Sequence, residues 1–120
     1  MLSVATYPAF SDRPAALAAA IATGELRQHR GFNGVSVSDS LESAAAQAFG
    51  GPAKVAVAGA KAGTDLLLFG DFAPAARADA ALRKALRAGS LARTPSEESV
   101  QRVLDLRAKL PARPSRAVRR

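Results

Sequence analysis

The sequence predicts an α/β fold, a small parallel sheet whose strands alternate with helices. Short apolar stretches, "LSVAT", "GVSVS" and "TDLLLF", recur between longer alanine- and leucine-rich helical stretches. The run "DLLLF" is apolar without alternation, as expected for a strand covered on both faces. Such an order argues for right-handed crossovers between parallel strands. Three parallel strands leave two open edges and little room for helices on both sides, so the stretch reads as part of a larger α/β domain.

Each element has a local reason. "MLSVATY" opens as a short β-branched strand, and the two prolines of "YPAFSDRP" break it. "LAAAIATGELRQHR" is helical despite Gly24, and the strand "GVSVS" follows. "SAAAQAF" makes a short helix ended by Gly50 and Gly51. Pro52 suits the first position of the next helix, "PAKVAVAGAKA", and Gly63 is placed to end it in a left-handed conformation. After the strand "TDLLLF", the helix "PAARADAALRKALRA" stops at Gly89. In "TPSE", Thr94 is the expected cap, Pro95 the first helical residue and Glu97 the capping-box partner. The helix it opens gathers Val100, Val103, Leu104, Leu106 and Leu110 mainly on one face, so Val103, Leu104 and Leu110 are expected to be buried against the last strand, with Arg102 and Lys109 solvated.

Composition narrows the chemistry. The 120 residues allow one domain at most, with a core of Leu, Val, Ile and Phe and close helix contacts through alanine. With no cysteine and one histidine, disulfides, thiolate sites and a His-rich zinc site are excluded, and no metal or cofactor is expected. No apolar run approaches the ~18 residues of a membrane span, and the N-terminus lacks the basic region of a signal peptide. The stretch as given therefore reads as soluble, with no export address and the cytoplasm as the default location. Charge is uneven: residues 1–76 carry five basic and six acidic groups, residues 77–120 twelve and four. The tail "PARPSRAVRR" has no aromatic for base stacking, so its arginines read as solvated surface rather than a nucleic-acid site.

"YPAFSDRPAALAAAIATGELRQHRGFNGVSVSDSLESAA", followed by "KVAVAGAKAGTDLLLFGD", resembles the glycoside hydrolase family 3 N-terminal domain, in particular its bacterial β-N-acetylhexosaminidase branch. The shared pattern runs in order through Tyr7-Pro8, Pro14-Ala15-x-Leu17, Leu26-Arg27, Gly31-Phe32-Asn33-Gly34-Val35, Ser38-Asp39 and Ala62-Gly63-x-Asp65, and ends on a helix closing near Leu106-x-x-Lys109. The resemblance covers residues 1–110 and implies the last three βα units of a (β/α)8 TIM barrel, strands six to eight, with a C-terminal helix. Residues 111–120 are set apart as a basic Pro/Arg tail, expected to be disordered. Three departures stand out: Ala18 replaces a helix-capping Ser, Arg30 a commonly apolar residue, and Ser36 lies at a usually apolar position.

Asp39 stands where chemistry gathers in such folds, at the carboxyl end of a strand. Position alone leaves two readings, a catalytic carboxylate or a cap for the helix starting near Leu41. The resemblance makes Asp39 the nucleophile of a retaining glycosidase, attacking the anomeric carbon while an acid partner protonates the leaving oxygen. In the resembled hexosaminidases that acid is a histidine on an earlier loop, accompanied by a Lys-His pair and an arginine that hold the sugar; in related β-glucosidases it is a carboxylate of a second domain. None of these lies in this stretch. His29, in "RQHR" at a helix end, is expected on the surface away from the site. Glu42 is expected to serve the dipole at the start of its own helix. Asp65 begins its strand, at the end of a barrel associated with stability, and is expected to be structural. Tyr7 is a weak candidate for lining the sugar site. By alternation Val35, Val37 and Asp39 share one face, and Ser36 and Ser38 turn toward the covering helices.

The functional expectation is therefore a family 3-like glycosidase portion, resembling enzymes that act on terminal N-acetylglucosaminides, and inactive or incomplete alone. The alternative is a non-catalytic remnant that binds a partner or oligomerises. Either way, "LSVAT" and "TDLLLF" are expected at the two edges with "GVSVS" between them, so that the stretch self-associates or takes the missing strands from a partner.

Overall fold

The structure, a computed structural model, describes residues 1–111. Helices dominate it. A 3-10 turn at Ala15–Leu17 and a π-helix at Ala20–His29 precede α1 (Ala44–Phe49), α2 (Pro52–Ala62), α3 (Phe72–Arg87) and α4 (Arg93–Lys109). The tail expected to be disordered lies, from residue 112 onward, outside the described residues.

The expected three-stranded sheet is corrected to single contacts. Among the described residues the would-be strands meet only at isolated parallel bridges, Leu2 with Ser38 and Val37 with Leu66. "GVSVS" thus lies between the other two segments. The Leu2 N–H donates to the Val37 carbonyl at 2.7 Å and the Asp39 N–H to the Leu2 carbonyl at 2.8 Å. On the other side the Ser38 N–H donates to the Leu66 carbonyl at 2.8 Å and the Leu66 N–H to the Ser36 carbonyl at 2.9 Å. The next rung is intercepted by a side chain: the Leu68 N–H donates to Ser38 Oγ at 2.9 Å instead of to a backbone carbonyl. A hydroxyl at this position competes with the ladder it belongs to.

The core has two parts. Leu2, Ala16, Ala22 and Ala62 form one, with Ile21 and Leu26 packed against it. Leu17, Leu41, Ala46 and Val55 form the other, joined by Val4, Phe49, Leu67 and Phe69. Alanines let helices and segments approach closely, and Gly59 goes further: a Cβ there would lie 2.7 Å from Leu67 Cδ2. Gly63 ends α2 at φ 99°, as its position in the sequence implies. Leu67 and Phe69 face the helices, so Leu66 and Leu68 point the other way, and each is 41% exposed.

Two helices differ from expectation. The stretch 20–29 winds with i to i+5 bonds, as in the Arg30 N–H donating to the Glu25 carbonyl at 2.9 Å. α4 begins at Arg93 behind Ala92, with no side-chain cap, so Thr94 and Pro95 lie inside its first turn. No residue of α4 is buried; Leu104 is 48% and Leu110 60% exposed. The expectation that Leu104 and Leu110 pack on the last segment is overturned. The apolar stripe exists, but the surface to cover it is not among the described residues. Arg102, expected in solvent, is the residue that docks.

Candidate active site at the carboxyl ends of the parallel segments

The period-2 reading of residues 35–39 holds. Ser36 and Ser38 are buried on the helix side, and Asp39 is exposed at the end of the segment. The Asp39 backbone is fixed by its bond to Leu2. Its carboxylate makes one local contact, Oδ1 accepting the Ser40 N–H at 2.7 Å. Capping of α1 falls to Ser43, whose Oγ accepts the Ala46 N–H at 3.4 Å. The cap reading of Asp39 is therefore removed. Its carboxylate faces solvent at the end of a parallel-bridged segment, held by no cation among the described residues.

Glu42 does not serve the helix that follows it. Its Oε2 accepts the backbone N–H groups of Gly70 and, at 3.1 Å, Asp71, the two residues before α3. It thereby supports the start of α3, which has no cap of its own from Asp71. Leu41, buried beside it, donates its N–H to the Leu68 carbonyl at 3.0 Å. Tyr7 follows the first segment at the same end and is exposed, its carbonyl accepting the N–H groups of Phe10 and Ser11. Asp39, Glu42 and Tyr7 thus share one end of the segments. His29 does not join them: it is exposed beyond the amino end and pairs with Glu25 at 2.9 Å.

Asp65 occupies the opposite end, with no exposed side-chain surface. Its Oδ2 accepts from Arg27 Nη2 at 2.5 Å, the Ser36 N–H at 2.9 Å and Ser36 Oγ at 3.2 Å. Its Oδ1 accepts from Ser99 Oγ at 2.8 Å and from Arg102 Nε and Nη2 at 3.1 and 2.8 Å. Burial alone would disfavour the charge, yet the Arg102 bonds, the Ser36 N–H, Ser99 and the Arg27 charge together hold the carboxyl below its ordinary value. Ser36, out of pattern as a strand residue, finds its reason here, because its hydroxyl also receives the Asp65 N–H at 3.1 Å. Arg27, Ser99 and Arg102 escaped the sequence reading; the Leu-Arg motif at residues 26–27 was the available signal for the first of them.

A cleft of about 820 Å³ lies between α4 and the π-helix, α2 and α3, bordered by Thr23, Leu82, Val100 and Arg102. It reflects the loose seating of α4 and is remote from Asp39. A smaller one, about 520 Å³, is lined at the Asp39 end by Leu41, Glu42, Asp71 and Arg77. Among the described residues no group of three or more His, Cys, Asp and Glu could hold a metal ion, and no helix is long and apolar enough to cross a membrane.

Residues 1–106 match the glycosyl hydrolase family 3 N-terminal domain family. An uncharacterized secreted glycosyl hydrolase of Arthroderma benhamiae is 34% identical over 116 residues, 93% of this chain and 33% of the relative. The β-N-acetylglucosaminidase from Thermotoga maritima superposes with a TM-score of 0.85 at 26% identity, over 91% of this chain and 24% of that one. A family 3 β-N-acetylglucosaminidase from Paenibacillus gives 0.82 at 30% identity, over 92% and 22%. The 120 residues thus span about a third or less of the proteins they match, and the fold aligns to part of a larger one.

Proposed function

The chain belongs to the glycosyl hydrolase family 3 N-terminal domain family, and on that premise we propose that it forms the last three βα units of a (β/α)8 barrel of the β-N-acetylglucosaminidase type, with Asp39 as nucleophile. One observation carries this reading. Asp39 is an exposed carboxylate at the carboxyl end of a parallel-bridged segment, and it spends its charge on no structural partner. Attack by one oxygen on the anomeric carbon breaks the glycosidic bond and leaves a covalent glycosyl-enzyme, which water then hydrolyses. The backbone bond between Asp39 and Leu2 fixes the attacking group on a packed element.

On this reading neither His29 nor Glu42 supplies the proton for the leaving oxygen. His29 is at the wrong end, and Glu42 Oε2 is engaged by two amides. The substrate class is a terminal N-acetylglucosaminide, and Tyr7, exposed at the same end, is the candidate for lining its site. An aryl N-acetylglucosaminide should be hydrolysed little above background by the isolated chain. A dinitrophenyl N-acetylglucosaminide needs no proton at its leaving group and is the fair substrate. A small release of dinitrophenolate that disappears in Asp39→Asn supports the assignment; release that persists in Asp39→Asn overturns it.

A second reading, an oligomerisation or binding module, draws on the exposed Leu66 and Leu68 and on the open edges of the outer segments. Its prediction is self-association at micromolar concentration, or uptake of strands from a partner polypeptide, read by sedimentation. A cooperatively unfolding monomer that also releases dinitrophenolate leaves only the first reading standing.

A further inference from the structure

Two loops meet beside Asp39, and one side chain ties them. The first, residues 39–43, follows the middle segment; the second, Gly70 and Asp71, follows the third segment and opens α3. Glu42 Oε2 accepts both N–H groups of the second loop across 28 and 29 positions of sequence. Gln47 Nε2 holds the Glu42 carbonyl at 2.8 Å, and the Glu42 N–H donates to Ser40 Oγ at 3.3 Å. A helix N-terminus is ordinarily capped by its own preceding residue; here Asp71 makes no such bond, and the loop that carries Asp39 instead holds the amides of Asp71 and of Gly70 before it. Gly70 fits this contact, since a Cβ there would stand 3.2 Å from Glu42 Oε2, tighter than most side-chain contacts.

We propose that Glu42 is a positioning residue for the nucleophile. By anchoring its loop to Gly70 and Asp71 it holds the Ser40 N–H under Asp39 Oδ1 and so sets the direction of the Asp39 carboxylate. The inference rests on the nucleophile reading for its significance, but the tie can be measured without turnover. Two observables separate positioning from plain helix capping: the exchange rates of the Gly70, Asp71 and Ser40 amides, and the side-chain rotamer of Asp39 from three-bond NMR couplings. In Glu42→Ala the three amides should exchange about tenfold or more faster, the RT-scaled consequence of losing bonds worth roughly 1–2 kcal/mol. The Asp39 couplings should pass from one rotamer to an average.

Glu42→Gln keeps an acceptor oxygen and should restore both. Gly70→Ala crowds the carboxylate without removing it and should move both observables in the same direction, which keeps the test valid if Glu42→Ala folds poorly. Faster exchange at Gly70 and Asp71 with unchanged Asp39 couplings would reduce Glu42 to a cap for α3 and overturn the proposal. Unchanged exchange would overturn the tie itself. Failure of the nucleophile reading shows elsewhere, as dinitrophenolate release indifferent to Asp39→Asn.

Discussion

Asp39 and Asp65 are both aspartates at the ends of neighbouring segments, and they have opposite fates. Asp65 is sealed from solvent and accepts from two arginines, two serine hydroxyls and a backbone N–H. Asp39 is exposed and accepts one N–H from the adjacent residue. A carboxylate whose lone pairs are all claimed can only hold structure together. One whose lone pairs remain free, on a backbone that is held, is available for chemistry. On the proposed reading the two ends of the segments would divide these tasks as the two faces of a barrel do.

The largest effect that would break this contrast comes from Asp65. Asp65→Asn leaves the Arg27 and Arg102 charges facing each other without their counter-ion, and should cost about 3–5 kcal/mol in urea unfolding. A loss under about 1 kcal/mol would show that the network is ornamental. The same carboxyl sets an acid limit. Because its folded-state value is lowered, its stabilisation is fully present above the unfolded aspartate value of about 3.9 and is lost as pH falls through the lowered one. The wild type should therefore lose stability faster than Asp65→Asn below about pH 4.

Next in size is the attachment of α4. Arg102→Ala removes two charge-assisted bonds and should cost about 1.5–3 kcal/mol. Since α4 buries no residue, this arginine and Ser99 are its polar anchors to the body of the fold. Leu104→Ala should cost under about 1 kcal/mol, against about 2–5 for the same change at the buried Leu41. Equal costs at the two leucines would mean that the stripe on α4 is covered after all.

Legibility in the sequence followed the range of the forces involved. The left-handed end of α2 at Gly63 and the in–out order of residues 35–39 are local consequences of one residue or one period, and both were readable. The position of Asp39 was readable from its motif. The Asp65 clamp was not, because Arg27 and Arg102 come from 38 and 37 residues away and leave no periodic trace. Between the middle and third segments the ladder was unreadable for a related reason: strand propensity marked both, but the competition of Ser38 Oγ for the Leu68 N–H is a tertiary event. On α4 the stripe was visible, yet a stripe does not say what covers it.

The smallest expected effect on stability is the sharpest test of the comparison. Asp39→Asn replaces an exposed carboxylate by an isosteric amide whose oxygen can still accept the Ser40 N–H. No cation among the described residues loses a partner, so the unfolding free energy should stay within about 0.5 kcal/mol of wild type. The amide is no nucleophile, however, so any glycosyl transfer to this position must vanish. Unchanged stability with lost chemistry is the signature of a free carboxylate; at Asp65 the same Asp→Asn change should unfold the protein more easily. Were Asp39→Asn to destabilise the chain by several kcal/mol, the carboxylate would be structural, and the division of labour between the two ends would fail at its more interesting end.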